Sequence, residues 1–206
     1  MAISVRDIMS TDLVTVTPVE SARQAYDLMR DHRFRHLPVV SEGRLVGILS
    51  DRDLRPVLLS PGLADAAVSE LMSEDLTTIT ADTLVEDAAS LLVVKKIGCL
   101  PVVDGDRLVG IVTETDLLAV LVELLGLLTH STRLDVRVLG GGPASYERVV
   151  EIVRQHQGRI MSVGAVPSTG GETIFSLRLE PCDTRPLVVA LSRAGFEVLS
   201  PTADAP

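Results

Sequence analysis

Leu37-Pro38-Val39-Val40 returns as Leu100-Pro101-Val102-Val103, and Arg44-Leu45-Val46-Gly47-Ile48 returns as Arg107-Leu108-Val109-Gly110-Ile111. Extended in both directions, the match carries residues 5–54 onto 68–117 without a gap, at an offset of about 63 and with roughly 20 of about 50 positions identical. Met9-Ser10 returns as Met72-Ser73. This is the self-similarity of a duplicated folding unit. Leu59 to Ala67, with Pro61-Gly62, reads as the hinge between copies. The copies are assigned to residues 1–60 and 61–128, and a different domain to 133–206.

Each copy reads alike. A short helix carries Ile8-Met9, and a brief strand runs from Leu13 to Val16. Thr17-Pro18-Val19-Glu20 predicts a helix start: Thr17 caps, Pro18 suits the first turn, and Glu20 completes a capping box. Ala22, Ala25, Tyr26 and Met29 then share one helical face. Strands follow at Leu37–Val40 and Leu45–Ser50 around Glu42-Gly43, and a second helix begins near Asp51. The order is β-α-β-β-α.

Beyond about residue 130 the pattern changes. Arg133 to Val138 alternates as a half-buried strand, and Gly140-Gly141-Gly142-Pro143 turns the chain. Tyr146, Val149, Val150 and Val153 mark a helix ending at Gly158. Arg159–Val166 and Thr173–Glu180 form a hairpin around Ser168-Thr169-Gly170-Gly171. Leu187, Ala190, Leu191 and Ala194 mark a second helix closed by Gly195, before a strand at Phe196–Leu199. The order β-α-β-β-α-β is the split βαβ, or ferredoxin-like, arrangement. The fold class is therefore α+β.

Composition narrows the function. The 206 residues are 46% hydrophobic but only 2% aromatic, so the core is aliphatic. A formal net charge of -9 disfavours nucleic acid and anionic membrane as partners. No apolar run is long enough to span a bilayer; Leu117–Leu128, broken by Glu123, reads as a packing helix. No secretory leader is visible, and Cys99 and Cys182, without metal-like spacing, read as buried free thiols, so a cytoplasmic location is expected. His32, His36, His130 and His156 lack metal spacing, and no Gly-x-Ser-x-Gly or Walker loop occurs, so no enzyme activity is expected. Met9, Met29, Met72 and Met161 read as core filling.

Both copies end in one constellation, Gly47-Ile48-Leu49-Ser50-Asp51-Arg52-Asp53 and Gly110-Ile111-Val112-Thr113-Glu114-Thr115-Asp116. At a strand-to-helix junction, free N–H groups and a Ser or Thr hydroxyl suit a phosphate. An Asp one turn on can accept from both ribose hydroxyls, and the Gly lets a ligand near the backbone. The same Ser-x-x-Asp and Thr-x-x-Asp are also capping boxes, which need no ligand.

Residues 5 to about 120 resemble the tandem CBS domain pair, or Bateman module. The resemblance rests on the repeated Met-Ser, Thr17-Pro18, the Leu-Pro-Val-Val strand and the Gly-h-h-Ser/Thr-x-x-Asp motif, where h is apolar. It implies two β-α-β-β-α repeats packed as a pseudo-twofold unit, with adenosine ligands in the clefts. It implies that Asp53 and Asp116 hold ribose, with Ser50 and Thr113 near phosphate. The adenine pocket would be lined by Val14, Val16, Leu37 and Pro38 at one site and by Thr77, Ile79, Leu100 and Pro101 at the other. Arg52, Arg33, Arg35 and His36 would make the first site the better one for a phosphorylated nucleotide, though Arg33–His36 also reads as a solvated helix end. Glu114 in the second motif and Gly98-Cys99 in place of Arg35-His36 favour an empty second site or a less anionic ligand there.

Residues 133–206 look like an ACT domain, and the combination resembles AcuB-type acetoin utilisation proteins. An ACT domain would take a small amino acid near Gly140–Ala144, although here glycine precedes proline; dimerisation alone is the other reading. The expected ligand is AMP, ADP, ATP or S-adenosylmethionine, with NAD and cyclic dinucleotides sharing the adenosine. The expected assembly is a homodimer with an unnamed protein target. The competing expectation is a non-liganded homodimeric scaffold.

Overall fold

The computed structural model describes residues 3–55, 64–139, 142–168 and 171–203. The chain divides into two compact units, Met1–Leu118 and Ala119–Pro206. The first contains α1 (Ala22–His32), β1 (His36–Ser41), β2 (Arg44–Ser50), α2 (Val85–Lys95), β3 (Cys99–Asp104) and β4 (Arg107–Thr113), and α3 (Glu114–Leu124) follows directly. Its sheet runs β1-β2-β4-β3, two antiparallel hairpins meeting at Arg44 and Arg107. Glu42 and Gly43 both take positive φ, which suits the right-handed twist of a two-residue hairpin turn.

The repeats do not fold side by side; they exchange their N-terminal ends. Val5 sits in the core of the second copy with Leu92, Leu100 and Val112, and Val68 sits in the core of the first with Met29, Leu37 and Leu49. The Val5 N–H donates to the Thr83 carbonyl (2.8 Å), and the Val68 N–H donates to the Glu20 carbonyl (2.9 Å). Ser10 bonds reciprocally with Ile111, and Ser73 with Ile48, at 2.9–3.0 Å. Behind each pair a methionine lands on a glycine. A Cβ on Gly47 would meet Met72 Sδ at 2.5 Å, and one on Gly110 would meet Met9 Sδ at 2.6 Å. These glycines, read as room for a ligand, are instead room for a methionine of the other copy.

This crossing explains where the local expectations fail. Only Val16 of the expected strand Leu13–Val16 pairs with β1, through Val39, because Ser10 is already held by the other copy's strand. The Ile8-Met9 helix is a 3-10 turn at Val5–Asp7, with a counterpart at Val68–Glu70. Thr17 does not cap α1. Its N–H bonds the Glu20 carboxylate, but the Pro18 carbonyl accepts from Ser69 and the Ala22 N–H goes to Ala66. With those helical partners taken, α1 starts four residues later than Pro18, capped by Ser21 and Gln24. Of the expected hinge, residues 59–63 lie outside the described residues, and Ala64 and Ala66 pair with the start of α1. After Ser50 the chain makes a turn over Asp51–Leu54; residues 56–63 lie outside the described residues.

The second unit contains β5 (Thr132–Leu139), α4 (Pro143–Gln155), β6 (Ile160–Pro167), β7 (Glu172–Leu179), α5 (Arg185–Arg193) and β8 (Glu197–Ala203). Its antiparallel sheet runs β6-β7-β5-β8, which is the split βαβ topology read from the sequence. Leu134, Val136 and Val138 alternate inward beneath Val149, Val153, Leu187 and Leu191. Pro143 occupies the first turn of α4, while Gly140, Gly141, Thr169 and Gly170 lie outside the described residues. Cys99 is buried as expected, but Cys182 is exposed: its backbone N–H is tied to Thr132 Oγ1 and its side chain stays outside the core. Among the described residues no helix is long and apolar enough to cross a membrane.

Gly47→Ala is expected to destabilise the first unit by about 1–3 kcal/mol, the cost of overpacking a filled site. Adding Met72→Ala should recover part of that loss. Strictly additive losses in a denaturation-based double-mutant cycle would show that the methionine contact is not the cause.

Candidate functional site

Ser50 closes β2 and Asp53 follows within one turn. Asp53 Oδ2 accepts from the Ser50 N–H (2.8 Å) and from Ser50 Oγ (2.6 Å). The second copy repeats the arrangement, with Asp116 Oδ2 accepting from the Thr113 N–H (2.8 Å) and Oγ1 (2.7 Å). The Asp-to-Ser/Thr contact of the capping reading is therefore made in both copies, and in the second it stands at the start of α3. It uses one oxygen, and Asp53 Oδ1 makes no hydrogen bond among the described residues.

A cavity of about 280 Å³ opens beside Asp53, within the first unit. One wall belongs to the first copy: Ile48, Ser50, the turn Asp51–Asp53, and Arg35 and His36 at the start of β1. The other belongs to the second copy. Ser73, Asp75, Leu76 and Thr77 arrive there because Ser73 is bonded to Ile48, and Lys96–Cys99, Pro101 and Glu114 complete the wall.

The cavity thus mixes the two expected sets. It gathers Ser50, Arg52, Asp53, Arg35 and His36 from the first and Thr77 and Pro101 from the second. Val14, Val16, Leu37, Pro38, Ile79, Leu100, Thr113 and Asp116 do not line it. Val16 and Leu37 are sealed in the first core, and Ile79 and Leu100 in the second. Strand alternation explains the split: Leu100 and Val102 face the core, whereas Cys99 and Pro101 face the cavity. Arg33 lies outside the lining and takes the left-handed conformation that ends α1. Asp75, Lys96, Gly98 and Glu114 were not assigned to this site, because a duplicated sequence reads the same whether its ends stay home or cross over. The repeated Met-Ser is the available signal, since Met72 and Met9 each close on a glycine of the other copy.

Gly98 stands where the first copy has Arg35, and the structure shows what its lack of a side chain allows. A Cβ at Gly98 would lie 2.7 Å from His36 Cε1, so glycine makes room for the imidazole. Burial holds His36 below the ordinary histidine range, and Arg35 pushes the same way. The Cys99 thiol is pushed up to about 12 by burial and keeps its proton. Arg35 Nη2 stands 3.8 Å from Glu114 Oε2, across the copies. Among the described residues, no group of three or more His, Cys, Asp or Glu is placed to hold a metal ion.

His36 titrates in the unfolded chain near pH 6.5 and lower in the fold, so the unfolded state gains protons first as pH falls. Stability is expected to be full above about pH 6.5 and to decline below it until the folded form also titrates. His36→Gln should flatten that part of the profile in unfolding midpoints taken from pH 7.5 down to about 5. An unchanged slope would place the titrating group elsewhere.

The CBS domain family matches residues 5–60 and 68–123. A structure assigned as an acetoin utilization protein (AcuB) from Vibrio cholerae is 35% identical, covers 62% of this chain and 96% of its own, and superposes with a TM-score of 0.57. The CBS domain pair of protein MJ0100, in complex with 5′-methylthioadenosine and S-adenosyl-L-methionine, is 31% identical over 59% of this chain and 97% of its own, with a TM-score of 0.54. CBSX2 in complex with AMP is 31% identical over 58% of this chain and 96% of its own, with a TM-score of 0.53. With a matched copy on each side of the hinge and the paired fold in place, the chain belongs to the CBS domain family.

Proposed function

We propose that the first unit senses an adenosine-containing small molecule, bound in the cavity between the copies, and that the chain regulates rather than catalyses. The carrying observation is the juxtaposition of Asp53 with an apolar wall from the other copy. The unused Asp53 Oδ1 can accept from ribose hydroxyls, while Leu76, Ile97 and Pro101 supply apolar contacts for a purine. The volume of about 280 Å³ lies near the lower end of small-ligand pockets. Adenosine ligands held by the CBS pairs of MJ0100 and CBSX2 support the same class. The cavity spans two copies, so a ligand that contacts both favours one relative arrangement of them, which is what coupling to a second event requires. In this reading the second unit is ACT-like and, with a partner, reads that arrangement; its split βαβ topology supports the assignment.

A homodimeric assembly role is favoured by a separate observation: Leu118, Leu121 and Leu124 along α3 are exposed. Leu121→Gln is expected to weaken self-association in sedimentation equilibrium; an unchanged monomer–dimer balance would count against that role.

Isothermal titration with AMP, ATP, 5′-methylthioadenosine and S-adenosylmethionine tests the sensor. Asp53→Asn keeps an acceptor for the Ser50 cap but removes the carboxylate, so it should melt nearly like the wild type and bind about tenfold more weakly. If no member of the panel binds the wild-type chain, the sensor reading fails.

A further inference from the structure

The cavity's charges are not those of a phosphate site. Its cations are Arg35, Arg52 and Lys96. Against them stand Asp51, Asp53, Asp75 and Glu114. Three positive groups facing four carboxylates give no positive excess, although Asp51 also leans on Arg55, outside the lining, at 3.9 Å. Burial favours the neutral form of His36, so it does not tip the sum. Asp75 and Glu114 both come from the second copy: Asp75 arrives with the crossing segment that Ser73 ties to Ile48, and Glu114 from the end of β4, the strand beside β2.

Glu114 has a particular place among these groups. It is the first variable residue of the second motif, just after Thr113, and its N–H bonds the Gly98 carbonyl at 3.3 Å. Its carboxylate approaches Arg35, the arginine best placed at the start of β1 to meet an incoming anion. A phosphate at Arg35 would have to displace this carboxylate or share the arginine with it. Arg52 and Lys96, in contrast, have no ion-pair partner among the described residues, and Asp75 has none either. The cavity therefore offers unpaired groups of both signs, which suits a tail carrying both charges or none.

We propose that Glu114 is a specificity-determining residue which occupies Arg35 in the place of a ligand phosphate, so that the cavity selects an adenosine whose 5′ substituent is uncharged or carries groups of both signs over one bearing a phosphate or polyphosphate. The inference rests on the sensor reading above and narrows its ligand class. It replaces the expectation, drawn from Arg33, Arg35, His36 and Arg52 alone, that this site prefers a phosphorylated nucleotide.

The test compares ATP, AMP, 5′-methylthioadenosine and S-adenosylmethionine by titration calorimetry on the full-length wild-type chain and on Glu114→Gln. In the wild type, 5′-methylthioadenosine or S-adenosylmethionine is expected to bind at least about tenfold more tightly than ATP. Glu114→Gln should shift the ratio of ATP to 5′-methylthioadenosine affinity toward ATP by about fivefold, the size of a half-exposed charge contact. Its exposed side chain makes the variant a mild one for folding, and an unchanged melting midpoint checks this. ATP or AMP binding most tightly to the wild type, or an unmoved ratio in Glu114→Gln, overturns the proposal while leaving the sensor reading intact. Failure of all four ligands overturns the sensor reading and this inference with it.

Discussion

The first unit depends on a contact between one backbone with no side chain and one flexible thioether: Met72 on Gly47, and its mirror, Met9 on Gly110. Each brings a strand of one copy within hydrogen-bonding range of the entering chain of the other, at Ile48–Ser73 and Ile111–Ser10. Those bonds place residues 73–77 over the end of β2, and that placement makes the cavity. Filling the interface with a polarisable, unbranched side chain lets the two copies close without an aromatic core, which this chain does not have.

Much of the architecture was legible because hydrophobic period and turn chemistry are local. The Leu-Pro-Val-Val strands, the Glu42-Gly43 hairpin and the βαββαβ order of the second unit all follow from short-range pattern. The start of α1 was not legible. Thr17-Pro18-x-Glu20 is a sound capping sequence, but its carbonyls are claimed by Ser69 and Val68 from the other copy. A rule that sees only neighbours in sequence has no access to that competition. The grouping of residues around the cavity was hard to read for the same reason: Thr77 and Pro101 line it together with Asp53 through a crossing of which the sequence carries only the repeated Met-Ser.

The motif's two readings, cap or ligand site, turn out to be compatible at the level of single oxygens. Oδ2 of Asp53 accepts from Ser50, which fixes the carboxylate's direction, while Oδ1 makes no hydrogen bond among the described residues. A side chain already oriented by its own backbone loses little freedom when a ligand arrives, so the cap lowers the entropic cost of binding. Charge then decides which ligand benefits. That property emerges only after folding, since Asp75 and Glu114 are remote from Asp53 in the chain.

The exchanged N-terminal turns also bear on how such a unit can exist at all. Val5 plugs the core of the second copy and Val68 that of the first, so neither copy contains the residue that seals it. A single repeat cut free would carry a plug with no socket of its own and a socket with no plug. Two such fragments would complete each other across molecules, reproducing the pair as a symmetric, swapped dimer. Joined in one chain, each half seals the other while differing from it at matched positions such as Arg35 and Gly98, so the two faces of the pair need not be alike.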